Sequence, residues 1–288
     1  MSHIMAARLA LAKHGFHFTH SLGQNFLLDE FYIARIADAA DVNPGDNVLE
    51  IGAGAGVLTA EMLDRGAKVL ALELDEALRP VLGDVLEGRE NISLVFADAM
   101  KADIGALAAD YFGAGAHFRV VANLPYYITT DVILRLIEWG LPMDSIIVLV
   151  QQEAAERIMA KTGKKTWCAL AATVQYFGAP EILMDVPPQA FTPRPHVNSC
   201  LLKIGLYGDE KPDAAIFDRT YLRLVNCAFA MRRKTLANNL TASYKMPRET
   251  AISLISDCEL SKTIRGEALS IKQLVVLADK LHNIQEFE

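Results

Sequence analysis

Apolar and polar positions fall into two regimes along the chain. From Asp29 to Asp41 apolar residues recur at helical spacing between acidic ends, and Pro44-Gly45-Asp46 then turns the chain. After that turn, short continuous apolar runs alternate with helical stretches. The runs predict strands at Val48–Ile51, Ala67–Leu74, Ile92–Ala97, Phe118–Ala122 and Ile146–Val150, and the stretches predict helices at Val57–Arg65 and Glu76–Leu86. Continuous apolar strands in β-α-β order predict a mostly parallel α/β sheet covered on both faces. Further on, Ala169–Phe177, Ile182–Val186 and Val197–Ile204 read as strands between proline-rich turns, which predicts an antiparallel strand pair at the end of the sheet. Beyond Leu206-Tyr207-Gly208-Asp209 the pattern is helical, at 214–231, 233–242, 248–256 and 270–284; Ile271, Leu274, Val275 and Ala278 show the spacing of three and four. The expected organisation is a large α/β domain over 1–208 and a small C-terminal helical domain over 209–288.

Composition narrows the classes. Of the 288 residues 52% are apolar and 22% charged, which is globular usage. A net charge of −7 excludes a simple basic coat for nucleic acid, but the charge is uneven. Residues 1–189 carry 14 basic and 24 acidic side chains, and residues 190–288 carry 14 basic and 11 acidic. The C-terminal third is therefore the part that could face a polyanion. Cys168, Cys200, Cys227 and Cys258 are widely spread and form no CxxC pair, the usage of reduced thiols in a cytosolic protein. No apolar run approaches the length of a membrane span, and His14, His17 and His20 interrupt any signal-peptide core. Gly15 breaks the helical register of those histidines and no acid or cysteine lies beside them, so no metal site is expected.

Chemistry concentrates at the predicted strand ends. In Val48-Leu49-Glu50-Ile51-Gly52-Ala53-Gly54-Ala55-Gly56-Val57-Leu58-Thr59 a strand runs into a glycine loop that opens a helix. The spacing is GxGxG rather than the GxGxxG of pyrophosphate sites, and Glu50 would repel a phosphate while suiting a cationic or zwitterionic ligand. Glu73 follows 21 positions after Gly52 at the end of the second strand, where a carboxylate accepts ribose hydroxyls. Asp98 ends the third strand and is placed to accept from the exocyclic amine of an adenine. Each acid alone reads as a surface carboxylate; three features at successive strand ends describe an adenosine pocket without a phosphate site, for which S-adenosylmethionine suits better than NAD.

The fourth strand ends in Asn123-Leu124-Pro125-Tyr126-Tyr127. An adenine N6 is a poor nucleophile because its lone pair is delocalised into the ring. The Asn123 side-chain carbonyl and the Leu124 backbone carbonyl could each accept one N6–H bond, and Tyr126 offers a stacking face. Phe191-Thr192-Pro193-Arg194-Pro195-His196-Val197 is a proline-braced loop that either holds Phe191 against the second face of an extruded base or buries it in the core. Arg232, Arg233 and Lys234 start a helix in the basic third and could bind phosphate, although a three-charge run more often marks a solvated face. Lys161, Lys164 and Lys165 flank Gly163 in a predicted loop that could touch RNA, although solvent is the default reading.

With these motifs the chain resembles the KsgA/RsmA family of bacterial small-subunit (16S) rRNA adenine N6,N6-dimethyltransferases over nearly its whole length. The resemblance rests on Ser21-Leu22-Gly23-Gln24-Asn25-Phe26-Leu27, Glu50–Gly56, Glu73, Asp98, Asn123–Tyr126, Phe191–Val197, Phe229–Leu236 and Asn238-Asn239-Leu240. It implies a Rossmann-like class I S-adenosylmethionine-dependent methyltransferase sheet, an N-terminal arm that folds over the methyl donor, and a C-terminal helical rRNA-binding domain. It places Asn25, Leu27, Gly52, Glu73, Asp98 and Asn123 at the cofactor, Asn123, Leu124, Tyr126 and Phe191 at the target base, and Arg232, Arg233 and Lys234 on rRNA. It further implies two methyls on each of two adjacent adenosines in a 3′-terminal hairpin of 16S rRNA in the immature small subunit, and a cytoplasmic monomer.

One departure is local: many members carry a basic cluster just before the Gly-Gln pair, where this chain reads Phe18-Thr19-His20, so an RNA contact by the arm would depend on the protonation of His20. The Erm-type large-subunit methyltransferases share the cofactor and adenine motifs, but usually have Ile or Val at the position of Leu124 and lack the Arg-Arg-Lys-Thr-Leu segment. A non-catalytic RNA-binding role on the same fold, or a DNA adenine methyltransferase, fits the intact Asn123–Tyr126 sequence less well.

Overall fold

The computed structural model of the protein describes residues 2–19, 23–216 and 218–284. His20, Ser21 and Leu22, which carry the start of the arm motif and the reading of His20, lie outside those residues. The chain forms two units, one of residues 1–155 with 179–208 and one of residues 156–178 with 209–288.

In the first unit α1 (His3–Lys13), β1 (Phe26–Leu27) and α2 (Glu30–Ala39) precede a regular alternation. It runs β2 (Asn47–Ile51), α3 (Val57–Asp64), β3 (Lys68–Glu73), α4 (Arg79–Val85), β4 (Ile92–Phe96), α5 (Ile104–Phe112), β5 (Phe118–Ala122), α6 (Tyr126–Trp139) and β6 (Met143–Gln151). After α7 (Gln152–Ile158) and α8 (Ala169–Phe177), the chain returns through β7 (Gly178–Val186), β8 (Phe191–Thr192) and β9 (Ser199–Leu206). The main sheet has seven strands in the order β4-β3-β2-β5-β6-β9-β7, and β1 pairs with β8 in a separate two-stranded sheet. β4, β3, β2, β5 and β6 are parallel and β9 runs antiparallel to β6. Val48, Leu49, Val69, Leu70, Val120 and Val121 are fully buried, as central strands with both faces covered require.

The strand order fixes where a ligand can sit. From β2 the chain winds outward through β3 to β4, then crosses back to add β5 on the other side of β2. The connections leaving β2 and β5 therefore diverge, and a crevice opens at the carboxyl ends of these two strands. Gly52 follows β2 and Asn123 follows β5, so the two motifs flank that crevice.

The second unit is helical: it holds α8, α9 (Asp218–Ala230), α10 (Leu236–Tyr244), α11 (Arg248–Asp257) and α12 (Ile271–His282), with α8 packed on α9 and α12. Here the sequence expectation needs correction. Ala169–Phe177 is a helix rather than a strand, and residues 156–178 belong to the helical unit instead of the 1–208 domain. Leu170, Ala171, Ala172, Thr173, Val174 and Tyr176 of α8 are all buried, so the segment lacks the polar stripe by which a 3.6-residue period is recognised. Tyr176 stacks on Tyr221 with ring centroids 3.7 Å apart and donates its hydroxyl to Asp218 at 2.6 Å. A smaller difference lies at Glu76–Leu86, where a 3₁₀ turn at Glu76–Leu78 precedes α4. Among the described residues no helix is long and apolar enough to cross a membrane.

The helical unit closes tightly at Gly266, where a Cβ would lie within clash distance of the Ala228 carbonyl. Since that neighbour is backbone, relief requires α9 to move. Gly266→Ala is expected to destabilise the protein by about 1–3 kcal/mol, as overpacking does. Urea unfolding checks this, and an unchanged midpoint would show that the two segments separate at no cost.

Candidate active site

The glycine loop after β2 shapes the first cavity. Gly52 has φ +83°, and a Cβ there would press on the Asn123 carbonyl and a Leu124 methyl at 3.4 Å, so a side chain would both strain the backbone and narrow the crevice. Gly56 caps α3 at φ +76°, with Leu82 only 2.9 Å from where its Cβ would stand. The loop therefore stays low and leaves room above it.

Among the described residues, three carboxyl groups and no lysine, arginine or histidine line this cavity. Glu50, on β2, is 1% exposed and accepts from Thr59 Oγ1 at 2.5 Å. Burial pushes its pKa up to about 8; the Thr59 bond opposes the shift and the nearby Glu73 charge adds to it. Glu73, also buried, accepts at Oε1 from the Leu74 and Asp75 amides and at Oε2 from the Gly54 amide, each at 2.8 Å. Burial raises its pKa, against the pull of those three amides. Asp98 accepts the Met100 amide at 2.9 Å and pairs with Lys101 at 3.2 Å; the amide first, then the lysine, lower its pKa and keep it ionised.

This donor and acceptor set matches the adenosine-bearing sulfonium expected from the sequence. A pyrophosphate would meet three acids and no cation, whereas a ligand with positive charge at one end and an adenosine at the other finds matching groups. Glu50 suits the cationic amino-acid end, Glu73 the ribose and Asp98 the adenine amine. One expectation changes in detail. A carboxylate has about four lone-pair sites. Three on Glu73 are already taken by backbone amides, so Oε2 can accept one ribose hydroxyl and a second only if the Gly54 amide lets go.

Asn25 and Leu27 line the same cavity, brought there by the pairing of β1 with β8. Gln24 anchors this strap: its Nε2 donates to Asp75 Oδ2 at 2.6 Å, while its Oε1 accepts the Thr19 amide at 2.9 Å. Asn123 Nδ2 points to the Asn25 carbonyl at 3.4 Å, which turns Oδ1 the other way. Leu124 also lines this cavity, and Pro125 opens α6 immediately after it.

A second cavity lies across the strap and shares Gln24 and Asn25 with the first. Tyr126 lines it together with Gln151, Arg194 and His196. The Tyr126 hydroxyl is held to the buried Ser199 Oγ at 2.6 Å, which fixes the ring. Phe191 is not on the wall of either cavity. It is 3% exposed, paired with Leu27 across β1 and β8 and packed in the hydrophobic core, so its faces are taken by neighbouring side chains. The core reading of Phe191 holds in this conformation. Phe191→Ala would then remove core packing, so lost turnover in that variant would not identify stacking.

Seven of the residues expected from the sequence, Asn25, Leu27, Gly52, Glu73, Asp98, Asn123 and Leu124, meet around the first cavity, and Tyr126 faces the second. Arg232, Arg233 and Lys234 lie in the other unit. The parts played by Thr59 and Ser199 were missed. Ser199 bonds Tyr126 from 73 positions away, and Thr59, nine positions from Glu50, stands in the glycine-loop motif but in no spacing that announces its bond.

Glu50 makes the site sensitive to pH. A carboxyl whose pKa rises on folding stabilises the ligand-free protein less as pH climbs from the ordinary carboxylate range to about 8, because the folded state holds a proton that the unfolded chain has released. A cationic ligand beside Glu50 favours the ionised form. Binding of S-adenosylmethionine near neutral pH is therefore expected to release up to one proton and to tighten as pH rises toward 8. Calorimetry in buffers of different ionisation enthalpy measures the proton directly, and Glu50→Gln should abolish it. Equal heats in all buffers for the unaltered protein would show that Glu50 does not change state.

A family model described as ribosomal RNA adenine dimethylase matches residues 15–276. The chain is 38% identical over 278 residues to the ribosomal RNA small subunit methyltransferase A of Bacillus licheniformis, covering 95% of this chain and 94% of that protein. It is 38% identical to the protein of the same name from Streptococcus sanguinis, with 95% of each covered. Among solved structures, the chain is similar to a dimethyladenosine transferase from Plasmodium falciparum, with a TM-score of 0.70 and 23% identity over 86% of this chain and 94% of that one. It is also similar to the 23S rRNA methyltransferase ErmE, with a TM-score of 0.64 and 26% identity over 90% of this chain and 100% of that one.

Proposed function

The chain belongs to the ribosomal RNA adenine dimethylase family, enzymes that methylate ribosomal RNA with S-adenosylmethionine on a Rossmann-like methyltransferase sheet, and from that premise we propose that it dimethylates the N6 amines of two adjacent adenosines in the 3′-terminal hairpin of 16S rRNA during small-subunit biogenesis, acting as a monomer. The observation that carries this reading is the Asn123–Tyr126 turn. Asn123 faces the carboxylate-lined cavity and Tyr126 the neighbouring one, so a base held in the second presents its amine toward the first.

When bound, S-adenosylmethionine supplies an electrophilic methyl group on a sulfonium. The chain's own part is positioning. Asn123 Oδ1 and the Leu124 carbonyl accept the two N6–H bonds, which draws the nitrogen lone pair out of the ring plane and toward the cofactor cavity. The Tyr126 ring, fixed through Ser199, stacks on the extruded base. Methylation would leave N6 positively charged with both hydrogens; once one proton passes to water, N6 keeps a single hydrogen, so one of the two acceptors is vacated and the amine turns to bring its lone pair round again.

The sister class acting on the large subunit shares the fold, and Leu124 together with Arg232-Arg233-Lys234-Thr235-Leu236 favours the small subunit. Incubation with labelled methyl donor and with immature small and large subunits in parallel, followed by nucleoside mapping, separates the two. Label confined to dimethyladenosine in the small subunit is the expected outcome. Label in the large subunit, or none in either, would overturn the reading.

A further inference from the structure

The second cavity holds a polar side chain that positioning of the amine leaves unused. Of the described residues lining it, Thr19, Arg194 and His196 are exposed, whereas Gln24, Asn25, Tyr126 and Gln151 are half-buried, where a hydrogen bond to a base is sheltered from water. Three of these four are engaged. Gln24 Nε2 donates to Asp75 at 2.6 Å, Asn25 Nδ2 donates to the Gly23 carbonyl at 2.9 Å, and the Tyr126 hydroxyl is held by Ser199 at 2.6 Å. The Gln151 amide has no hydrogen-bond partner among the described residues. The sheet sets its position. Gln151 ends β6 directly opposite Ser199 of β9, and residues opposite each other in an antiparallel pair project to the same face. Ser199 holds the Tyr126 hydroxyl, so the Gln151 side chain leaves the sheet on the face where the Tyr126 ring stands. On the other side of β6, Ala122 of β5 is level with Val148. Carried one residue further, that register sets Asn123 level with Leu149, and Gln151 about 7 Å beyond along the strand, room for the six-membered ring of a purine whose amine is held at Asn123.

We infer that Gln151 reads the target base, its side-chain amide donating a hydrogen bond to adenine N1, the ring nitrogen next to the reacting amine. This rests on the adenine N6 reading above and deepens it. The Asn123 and Leu124 acceptors take both N6 hydrogens and so fix the amine. Stacking on Tyr126 fixes the plane of the ring but resists sliding within that plane only weakly, because a π-face has no preferred direction. A third point on the same edge removes that freedom and keeps the N6 lone pair aimed at the cofactor cavity. N1 is an acceptor whose lone pair lies in the ring plane, on the edge that leads when a base is inserted; N7 belongs to the imidazole ring that carries the ribose. Guanine has a hydrogen on N1 and an oxygen at C6, so it opposes a donor to the Gln151 donor and an acceptor to the Asn123 acceptor.

Small subunits reconstituted with a synthetic 3′-terminal segment of 16S rRNA test this with the full-length protein at saturating S-adenosylmethionine. The segment carries adenosine, 1-deazaadenosine (N1 replaced by C–H) or 7-deazaadenosine at the target positions. With adenosine, Gln151→Ala should lower kcat for the first methyl roughly five- to tenfold, the worth of one hydrogen bond, with little change in KM because the rest of the RNA still binds. Gln151→Glu, close in shape but without a donor when ionised, should share the loss. With 1-deazaadenosine the ratio of kcat between the unaltered protein and Gln151→Ala should fall to about one, since neither can then make the bond. With 7-deazaadenosine the ratio should stay at roughly five to ten. Any effect of an analogue on the reactivity of its amine is common to both proteins and cancels in the ratio, and a merely structural role for Gln151 would leave the ratio the same on all three bases. Cofactor affinity and the thermal midpoint report that each variant is folded. An undiminished kcat for Gln151→Ala, an unchanged ratio on 1-deazaadenosine, or a ratio that falls on 7-deazaadenosine instead overturns the inference and leaves the enzymatic reading intact. Absence of methylation of the adenosine subunits by the unaltered protein defeats the enzymatic reading, and with it the inference.

Discussion

Asn123→Ala lowers the turnover number for adenine methylation by roughly 10²-fold or more while changing RNA affinity little, as loss of a group that orients the reacting amine does. The Asn123 side chain is held by the Asn25 carbonyl, so its Oδ1 is presented without having to be ordered when the base arrives. Asn123→Asp is an informative companion. It keeps an acceptor but loses the N–H that the Asn25 carbonyl receives, and it adds a fourth acid beside Glu50, Glu73 and Asp98. It should retain more turnover than alanine if acceptance at Oδ1 is the main contribution, with a weakened hold on the strap. Single-turnover methylation of small subunits at saturating cofactor gives the comparison. Near-normal dimethylation by Asn123→Ala would place the target amine elsewhere.

Glu73→Ala weakens S-adenosylmethionine binding more than Asp98→Ala, and the two differ for a structural reason. Loss of a charge-assisted hydrogen bond costs about 1.5–3 kcal/mol, or roughly ten- to a hundred-fold in affinity. Asp98 holds one backbone amide and one exposed lysine, so its removal should cost near the lower end. Glu73 satisfies the amides of Gly54, Leu74 and Asp75. Its removal leaves those donors without their acceptor and lets the glycine loop relax, so the loss should reach a hundred-fold. Calorimetric titration of both variants measures the order directly. Equal affinities for Glu73→Ala and the unaltered protein would refute its place at the ribose.

Much of the site was legible in the sequence because it is built at strand ends. In a parallel sheet every strand ends on the same side, so Gly52, Glu73, Asp98 and Asn123, each just after or at the end of a predicted strand, had to converge. Apolar runs marked β2, β3, β4 and β5 within one or two residues; both faces of β2, β3 and β5 are covered, and only continuous apolar sequence survives there, while the half-buried edge strand β4 keeps a polar Ser93 in its run.

What the sequence by itself determined is therefore the α/β alternation, the pocket acids and the place of the Asn123–Tyr126 turn, since each follows from local pattern plus the geometry of a wound sheet. Tertiary structure alone decided the rest. It made Ala169–Phe177 a helix, because burial on nearly all sides erases the periodicity that distinguishes helix from strand. It put Phe191 in the core, because β1 comes back from the N-terminus to pair with β8. It set the protonation of Glu50, because a carboxyl's pKa depends on the water that packing removes. And it joined Ser199 to Tyr126, 73 positions apart, because a hydrogen bond responds to distance in space and no local pattern records it.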